Sequence, residues 1–349
     1  MFKSLKLKNF RNFENKEFFF AENKNFILGN NGVGKTNILE AISLIYQRNI
    51  LNKEISNLIK NKADFSYIEI EKDNGDRFGI SFDKENNSKK LLINGQKTTK
   101  KKFNELLEKV VIFKPMDMNM MYLSPSYRRD FLDDILSNSF EGYDKINKDY
   151  KNIVKNRNKL LKNIREGKCA KSEILFWDKA LINKSREIYD YRLKITSYFS
   201  SKIGILKELL GLKIDNLHFN YITKVDLNNI ETSIENYLTK NLDRDIIIGN
   251  THIGPHIDDF QIILDGFPLI NFASRGETKS VILGLKIIES QFIEENTNKE
   301  TIFLIDDLFS ELDETHEMLL LNEISNKQVI ITSIKNIFNN DIGDFTINL

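Results

Sequence analysis

The sequence predicts an α/β fold assembled from both ends of the chain, with an α-helical lobe inserted between them. Three observations predict it. Near the start, the apolar run Phe26-Ile27-Leu28 leads into Gly29-Asn30-Asn31-Gly32-Val33-Gly34-Lys35-Thr36, and a helix follows with Ile38, Ile42 and Ile45 on one face and Leu39 beside them. Near the far end, Thr301-Ile302-Phe303-Leu304-Ile305 is a nearly all-apolar strand that delivers two carboxylates, Asp306 and Asp307. Between them, Ile146, Tyr150, Ile153, Arg157, Leu160 and Ile164 step by four and three. Gly167 breaks the run, and Trp177, Leu181, Lys184, Ile188, Tyr191, Ile195 and Tyr198 then step the same way. The first two patterns belong on one sheet, and the third reads as an antiparallel helical hairpin. Residues 1–118 and 245–349 are therefore expected to form one discontinuous domain, and residues 119–244 an α-helical lobe.

Leu5 and Leu7 alternate with Lys6 and Lys8 ahead of Phe10, which reads as a first strand. Phe18 to Phe20 reads as a second, with Glu22 to Asn25 as the turn before the glycine-rich segment. Residues 66–83 read as a hairpin turning through Asp73-Asn74-Gly75, and Leu91-Leu92-Ile93 ends in Asn94-Gly95, a favoured two-residue turn. The first part of the chain thus adds an antiparallel β subdomain. Val110 to Phe113 reads as a buried strand, Phe260 to Leu264 as a strand turning at Asp265-Gly266, and Val329 to Ile331 as the last buried strand. Ala273-Ser274-Arg275-Gly276-Glu277 opens a helix whose Val281, Ile282, Leu285 and Ile288 share a face.

Composition narrows the class. With 349 residues, 41% hydrophobic and 29% charged, the chain reads as an ordinary globular protein, neither disordered nor fibrous. A net charge of +1 gives no global basic field, so any nucleic-acid surface must be a local patch. The single Cys169 rules out an internal disulfide and a zinc-finger framework, and suits a reducing compartment. Met1 to Lys6 lacks the apolar stretch of a signal peptide, and no apolar run approaches bilayer length. A cytoplasmic location without a membrane partner is expected.

The residue types explain the chemistry. Gly29 to Thr36 fits G-x-x-x-x-G-K-[ST], the phosphate-binding P-loop, in its proper strand–helix setting. Glycines let backbone N–H groups close around phosphate oxygens, and the helix N-terminus adds its positive end. Lys35 is placed to reach the β/γ-phosphates of ATP or GTP, and the Thr36 hydroxyl to ligate Mg²⁺. Asp306 would hold the same ion, and Asp307 would orient or deprotonate an attacking water. Ser274-x-Gly276-Glu277 offers a second phosphate-type cradle, with an ordinary Ser N-cap as the simpler alternative. Lys155, Arg157, Lys159, Lys162, Arg165, Lys168 and Lys171 cluster near the hairpin tip, where a basic surface suits a DNA backbone, with Lys155, Arg157, Lys159 and Arg165 as the candidate contacts; a solvated helix face is the bland alternative. His252, His256, Asp258 and Asp259 could be read as metal ligands, but Gly254-Pro255 makes the segment a turn of no standard ligand spacing. A structural or interface role is expected of them.

The motif order resembles the ABC-type ATPase heads of SMC-like DNA repair proteins, and within them the RecF family of bacterial recombination mediators. Asn9-Phe10-Arg11-Asn12, Leu39-Glu40-Ala41-Ile42, Tyr127-Arg128-Arg129-x-Phe131-Leu132-Asp133, Asn156-Arg157-Asn158 and Trp177-Asp178-Lys179 carry the resemblance. So do Gly254-Pro255-His256-x-Asp258-Asp259, Ser274-Arg275-Gly276 and Asp306-Asp307-x-x-Ser310-Glu311-Leu312-Asp313. The distance from Thr36 to Ser274 is too short for the long coiled coils of SMC proteins.

The resemblance implies an ABC/SMC-type P-loop NTPase head that binds ATP and Mg²⁺ and forms a homodimer on ATP. Arg11 and Asn12 would lie beside the phosphates, and Ser274 and Gly276 would contact the partner's γ-phosphate. Asp313 would sit at the dimer interface. It implies binding to gapped, single-stranded and double-stranded DNA, partnership with RecO and RecR in loading RecA, slow DNA-stimulated ATP hydrolysis, and work in replication, recombinational repair and the SOS response. A nucleotide-gated scaffold that recruits repair proteins and an SMC-like defence ATPase are the alternatives; the latter lacks a visible nuclease domain.

Several residues depart from the family pattern. Met116 stands where an acidic residue is usual, Glu277 where glutamine is, and Gln47-Arg48-Asn49 in place of a glycine turn. Thr332 and Ser333 occupy the switch position without a histidine, and Asp307 is one methylene shorter than glutamate. The last two favour slow turnover, because the base reaches less far and no imidazole supports the γ-phosphate.

Overall fold

The structure is a computed structural model describing residues 1–46, 54–204, 206–207, 216–307, 319, 322–334 and 345–349. Gln47-Arg48-Asn49 and Ser310 to Asp313 lie outside the described residues. In chain order the elements are β1 (Phe2–Phe10), β2 (Phe13–Phe19), β3 (Lys24–Leu28), α1 (Lys35–Ile45), β4 (Phe65–Lys72), β5 (Arg77–Asp83), β6 (Ser88–Ile93), β7 (Gln96–Lys97), α2 (Lys100–Glu105) and β8 (Lys109–Phe113). Then follow α3 (Asn119–Tyr122), α4 (Pro125–Ser139), α5 (Tyr143–Arg165), α6 (Ile174–Lys202), β9 (Leu217–Ile222), α7 (Ile230–Ile248), β10 (Asp259–Leu264), β11 (Phe267–Pro268), α8 (Leu269–Phe272), α9 (Arg275–Thr297), β12 (Thr301–Ile305), β13 (Val329–Ser333) and β14 (Phe345–Asn348). They group into two compact units, Met1–Asp117 with Glu289–Leu349, and Met118–Ile288.

The first unit holds two sheets. One is antiparallel, in the order β2-β1-β4-β5-β6-β7; the other is parallel, in the order β14-β3-β13-β12-β8. Alternation in β1 buries Leu5 and Leu7 and leaves Lys6 between Glu17 and Glu69 on the outer face. The central parallel strands β12 and β13 are mostly apolar and buried along their whole length, as strands covered on both faces must be. Between the sheets runs α1, whose Ile38, Leu39, Ala41, Ile42 and Ile45 are all fully buried. A helix apolar around most of its girth fits only such a sandwiched position.

One expectation shifts here: the turn at Glu22–Asn25 closes earlier, because the buried Asn25 amide bonds the Ala21 carbonyl and lets β3 begin at Lys24. Val329 to Ile331 lies in the last buried strand, as expected; β14 follows it at the sheet edge, mostly exposed and with no apolar run to announce it.

The second unit contains the expected helical hairpin. α5 and α6 pack against one another and against α7, with Tyr150, Val154, Leu181, Ile188 and Tyr189 in their common core. Gly167 has φ +71° in the connection, a left-handed turn that glycine adopts without strain. Residues 245–288, expected with the discontinuous domain, group here instead. β10 pairs with β9 from Asp259↔Ile222 to Leu264↔Leu217, and Asp245 is tied to α5. Among the described residues no helix is long and apolar enough to cross a membrane.

Arg157 corrects the reading of the basic tip. It is fully buried, bonding Asp178 at 2.7 Å, Asp245 at 3.0 Å and the Thr251 hydroxyl at 2.9 Å, so it is no contact for DNA. Its place in the heptad series was the better guide: the guanidinium fills an interior position and is neutralised there by two carboxylates. Lys155, Lys159 and Arg165 are exposed. Removing one partner from a buried ion pair leaves the others uncompensated, which costs roughly 3–5 kcal/mol. Arg157→Ala should lose stability of that order in urea unfolding, whereas Lys159→Ala should change it by less than about 0.5 kcal/mol.

Candidate functional site

The site grows from the end of β3. Gly32 and Gly34 have φ of +83° and +117°, and a Cβ on Gly34 would lie 2.7 Å from the Asn12 Nδ2 and 2.8 Å from the Phe13 ring. Only glycine fits there. Gly34 is also the N-cap of α1 and offers no side-chain acceptor, so the first N–H groups of the helix face an open cradle of loop backbone. Lys35 is nearly buried, with Nζ donating to the Gly29 and Asn30 carbonyls at 2.6 and 3.0 Å. Donor-lined backbone, a helix N-terminus and a lysine held against the loop together fit a polyphosphate.

The parallel sheet brings the far carboxylates to this loop. β13 lies between β3 and β12, pairing Ser333 with Leu28 and Ile331 with Ile305, so β3 and β12 end along the same edge. As a result the Thr36 hydroxyl lies 3.1 Å from both carboxylate oxygens of Asp306. Burial pushes the Asp306 carboxyl up from the usual carboxylate range, and the neighbouring Asp307 adds to this, while hydrogen bonds from Thr332 and Thr36 and the charge of Lys35 oppose it. A hydroxyl and a carboxylate that is costly to ionise alone form a donor set suited to a hard divalent cation.

Thr332 is the residue whose role the sequence concealed. Its hydroxyl donates to Asp306 at 2.7 Å and accepts the Asp307 backbone N–H at 2.9 Å. One buried hydroxyl thus holds both acidic residues, and Asp307 takes a left-handed φ of +46° just beyond β12. The sequence marked Thr332 only as part of a switch position lacking histidine; the apolar run before it in β13 gave no sign that its hydroxyl reaches the end of β12.

The two residues expected beside the phosphates divide. Asn12 lies on the P-loop, donating to the Val33 carbonyl at 2.9 Å and accepting from Asn37 at 2.9 Å. Arg11 instead makes two bonds to the buried Glu40 of α1, at 2.7 and 2.5 Å. Met116 is exposed, and Asp117 accepts the Lys114 N–H at 3.0 Å.

In the second unit, Ser274 and Glu277 form a capping box. The Ser274 hydroxyl accepts the Glu277 N–H at 3.2 Å, and the Glu277 carboxylate accepts the Ser274 N–H at 2.7 Å. The glutamate at that position therefore shapes the segment.

The histidine-rich turn places its side chains among separate partners. His252 bonds Asp245 at 3.0 Å, Arg128 makes two bonds to Asp259, and Asp258 accepts from Tyr189 and Tyr221, each at 2.8 Å. His256 Nε2 lies 3.1 Å from the Thr251 carbonyl and Nδ1 2.6 Å from the Tyr150 hydroxyl, so the neutral ring donates at Nε2 and accepts at Nδ1. Burial lowers its pKa to about 4. The unfolded chain binds this proton below its ordinary 6.5 while the folded chain does not, so stability is lost as pH falls through that window. The loss amounts to about 3 kcal/mol at pH 4. His256→Gln should flatten this part of the pH dependence in urea unfolding between pH 7 and 4.

The sequence model of the family described as RecF/RecN/SMC N terminal domain matches residues 1–346. The "DNA replication and repair protein RecF" of Thermoanaerobacter sp. (strain X514) is 33% identical over 345 residues, covering 95% of this chain and 93% of that protein. The chain belongs to the RecF family. Two solved structures of RecF, described as the recombination mediator protein in the RecFOR pathway, share its architecture. One, designated RecF-ATPrS, matches with a TM-score of 0.86 at 28% identity over 99% of this chain and 96% of its own. The other, designated RecF-ATP, matches with a TM-score of 0.84 at 27% identity over 99% and 95%. The fold is thus the ABC/SMC-type head of RecF, with its antiparallel β subdomain and inserted helical hairpin.

Proposed function

We propose that the chain is an ATP-dependent, DNA-binding recombination mediator that dimerises on ATP and hydrolyses it slowly. The observation that carries this reading is the approach of Thr36 to Asp306 beside Lys35, which joins a phosphate cradle to a carboxylate pair across the whole sequence. Bound ATP and Mg²⁺ would supply the phosphoanhydride and the Lewis acid. Gly29, Asn30, Asn31, Gly32, Val33 and Gly34 would surround the phosphates with backbone N–H groups, and Asn12 would brace the loop. Lys35 would turn its ammonium to the phosphates, and Thr36 with Asp306 would hold the cation. Asp307 would orient water and take its proton at a carboxylate oxygen. Arg11 would lie beside the phosphates, steadied by its two bonds to Glu40 of α1.

Ser274 and Gly276 would close over the partner's nucleotide, the capping box presetting the turn. Gapped, single-stranded and double-stranded DNA are the expected substrates, with Lys155, Lys159 and Arg165 as candidate phosphate contacts, and RecO and RecR as partners in replication, repair and the SOS response. Phosphate release measured with and without gapped DNA tests this reading against a scaffold whose nucleotide is never turned over. The proposal expects slow release that DNA accelerates; release absent under both conditions supports the scaffold.

A further inference from the structure

We infer that the tip of the helical hairpin is a docking site for an acidic, apolar-bearing segment of a partner protein. The tip exposes more apolar surface than its own packing requires. Leu160, Leu161, Ile164, Ile174 and Ile246 fill the core between the end of α5, the start of α6 and the end of α7. The residues that follow two of them turn outward. Leu175 and Phe176 are 61% and 69% exposed, and Ile247 and Ile248 are 71% and 41% exposed. Trp177 packs edge-on against Phe176 at 5.2 Å and is half-buried, so the aromatic ring is held in place from behind.

The two stretches adjoin. Arg165 donates to the Ile247 carbonyl at 3.1 Å, Lys171 bonds Asp243 at 2.6 Å, and Ile174 and Ile246 share the core beneath. Three aliphatic side chains and a phenyl ring exposed together are uncommon on a surface without a partner.

The surrounding charge selects the partner's chemistry. Lys162, Arg165, Lys168, Lys171, Lys179 and Arg244 are exposed around the patch. The exposed carboxylates beside them, Glu166, Glu173 and Asp243, are engaged with Lys168, the Ala170 N–H and Lys171. With those two lysines offset by their own carboxylates, Lys162, Arg165, Lys179 and Arg244 outweigh Glu173 and keep the tip cationic on a chain whose net charge is only +1. A partner with carboxylates flanking leucine, isoleucine or phenylalanine complements both features. DNA would satisfy the cations but leave Leu175, Ile247 and Ile248 without a match, which is why a polypeptide is favoured over a nucleic acid.

The tip shares no residue with the P-loop site, and the peptide selection does not require ATP; the oligonucleotide affinities are measured with ATP present. A display library of short random peptides is panned on the full chain and counter-selected on the double variant Phe176→Ser, Ile247→Ser. These side chains are exposed, so the variant should keep the urea midpoint of the parent. Affinity for a labelled single-stranded oligonucleotide is measured on both proteins. The expected result is enrichment of net-acidic peptides bearing two or more large apolar residues, binding the parent at least tenfold more tightly than the variant, with oligonucleotide affinity changed less than twofold. No parent-specific enrichment, enrichment of neutral or basic peptides, or a tenfold loss of oligonucleotide binding in the variant would overturn the proposal, the last by making the tip a base-stacking platform.

Discussion

Lys35→Ala should leave the chain folded and remove ATP binding. Its ammonium is nearly buried and bonds only loop carbonyls in the described contacts, so its loss costs the fold little beyond two hydrogen bonds. The charge it would bring to a triphosphate is much harder to replace. A charge-assisted hydrogen bond contributes about 1.5–3 kcal/mol, and a lysine reaching two phosphates supplies more than one. The loss therefore corresponds to at least about two orders of magnitude in affinity. Calorimetric titration at concentrations that saturate the parent should show no heat of binding to the variant, while its circular dichroism stays unchanged. Binding within threefold of the parent would remove the P-loop from the account.

Asp307→Asn should separate binding from hydrolysis. The amide keeps the shape of the carboxylate and the backbone N–H that Thr332 accepts, but it cannot take a proton from water. A positioned base contributes about 10²–10⁴-fold, so phosphate release should fall by at least about 100-fold with ATP affinity retained. The ATP-bound dimer should then persist where the parent's decays. Thr332→Val gives a comparison of a different kind. It removes the hydroxyl that donates to Asp306 and orphans the Asp307 N–H, so the turnover rate should fall about tenfold while both carboxylates remain. Equal turnover in the valine variant would mean that β12 alone fixes the pair.

The parts of the site legible in the sequence were those whose chemistry is local or whose pattern is strongly apolar. Gly29 to Thr36 announced its own turn, and the run Thr301 to Ile305 announced a buried strand with carboxylates at its end. Their meeting was inferable because a P-loop alone is incomplete. Thr332 was not legible, since its role depends on the register of β13 against β12, and no spacing along the chain encodes the direction of one buried hydroxyl. The Arg11–Glu40 pair was not legible either: the family resemblance pointed Arg11 toward phosphate, and no spacing announced its bonds to a helix that begins many residues later.

Arg157 shows how composition can hide packing. Among so many lysines a buried arginine looks like one more surface cation, and only its place between Ile153 and Leu160 in the heptad series pointed inward. The fold's outline was more readable than its edges. Long periodic helices and continuous apolar strands survive as signals; short or half-exposed strands such as β9 and β14 do not. The grouping of residues 245–288 with the helical unit was equally hidden, because it rests on the pairing of β9 with β10 and on the burial of Asp245 against Arg157.

The proposed function requires that ATP join two copies of this chain, each completing the other's site. Light scattering in Mg²⁺ with ATP, ADP or no nucleotide tests it most directly, with Asp307→Asn used to prevent turnover during the measurement. A doubling of the 40.8 kDa chain in ATP, reverting in ADP, is the predicted result. A mass that is the same in all three conditions would contradict it.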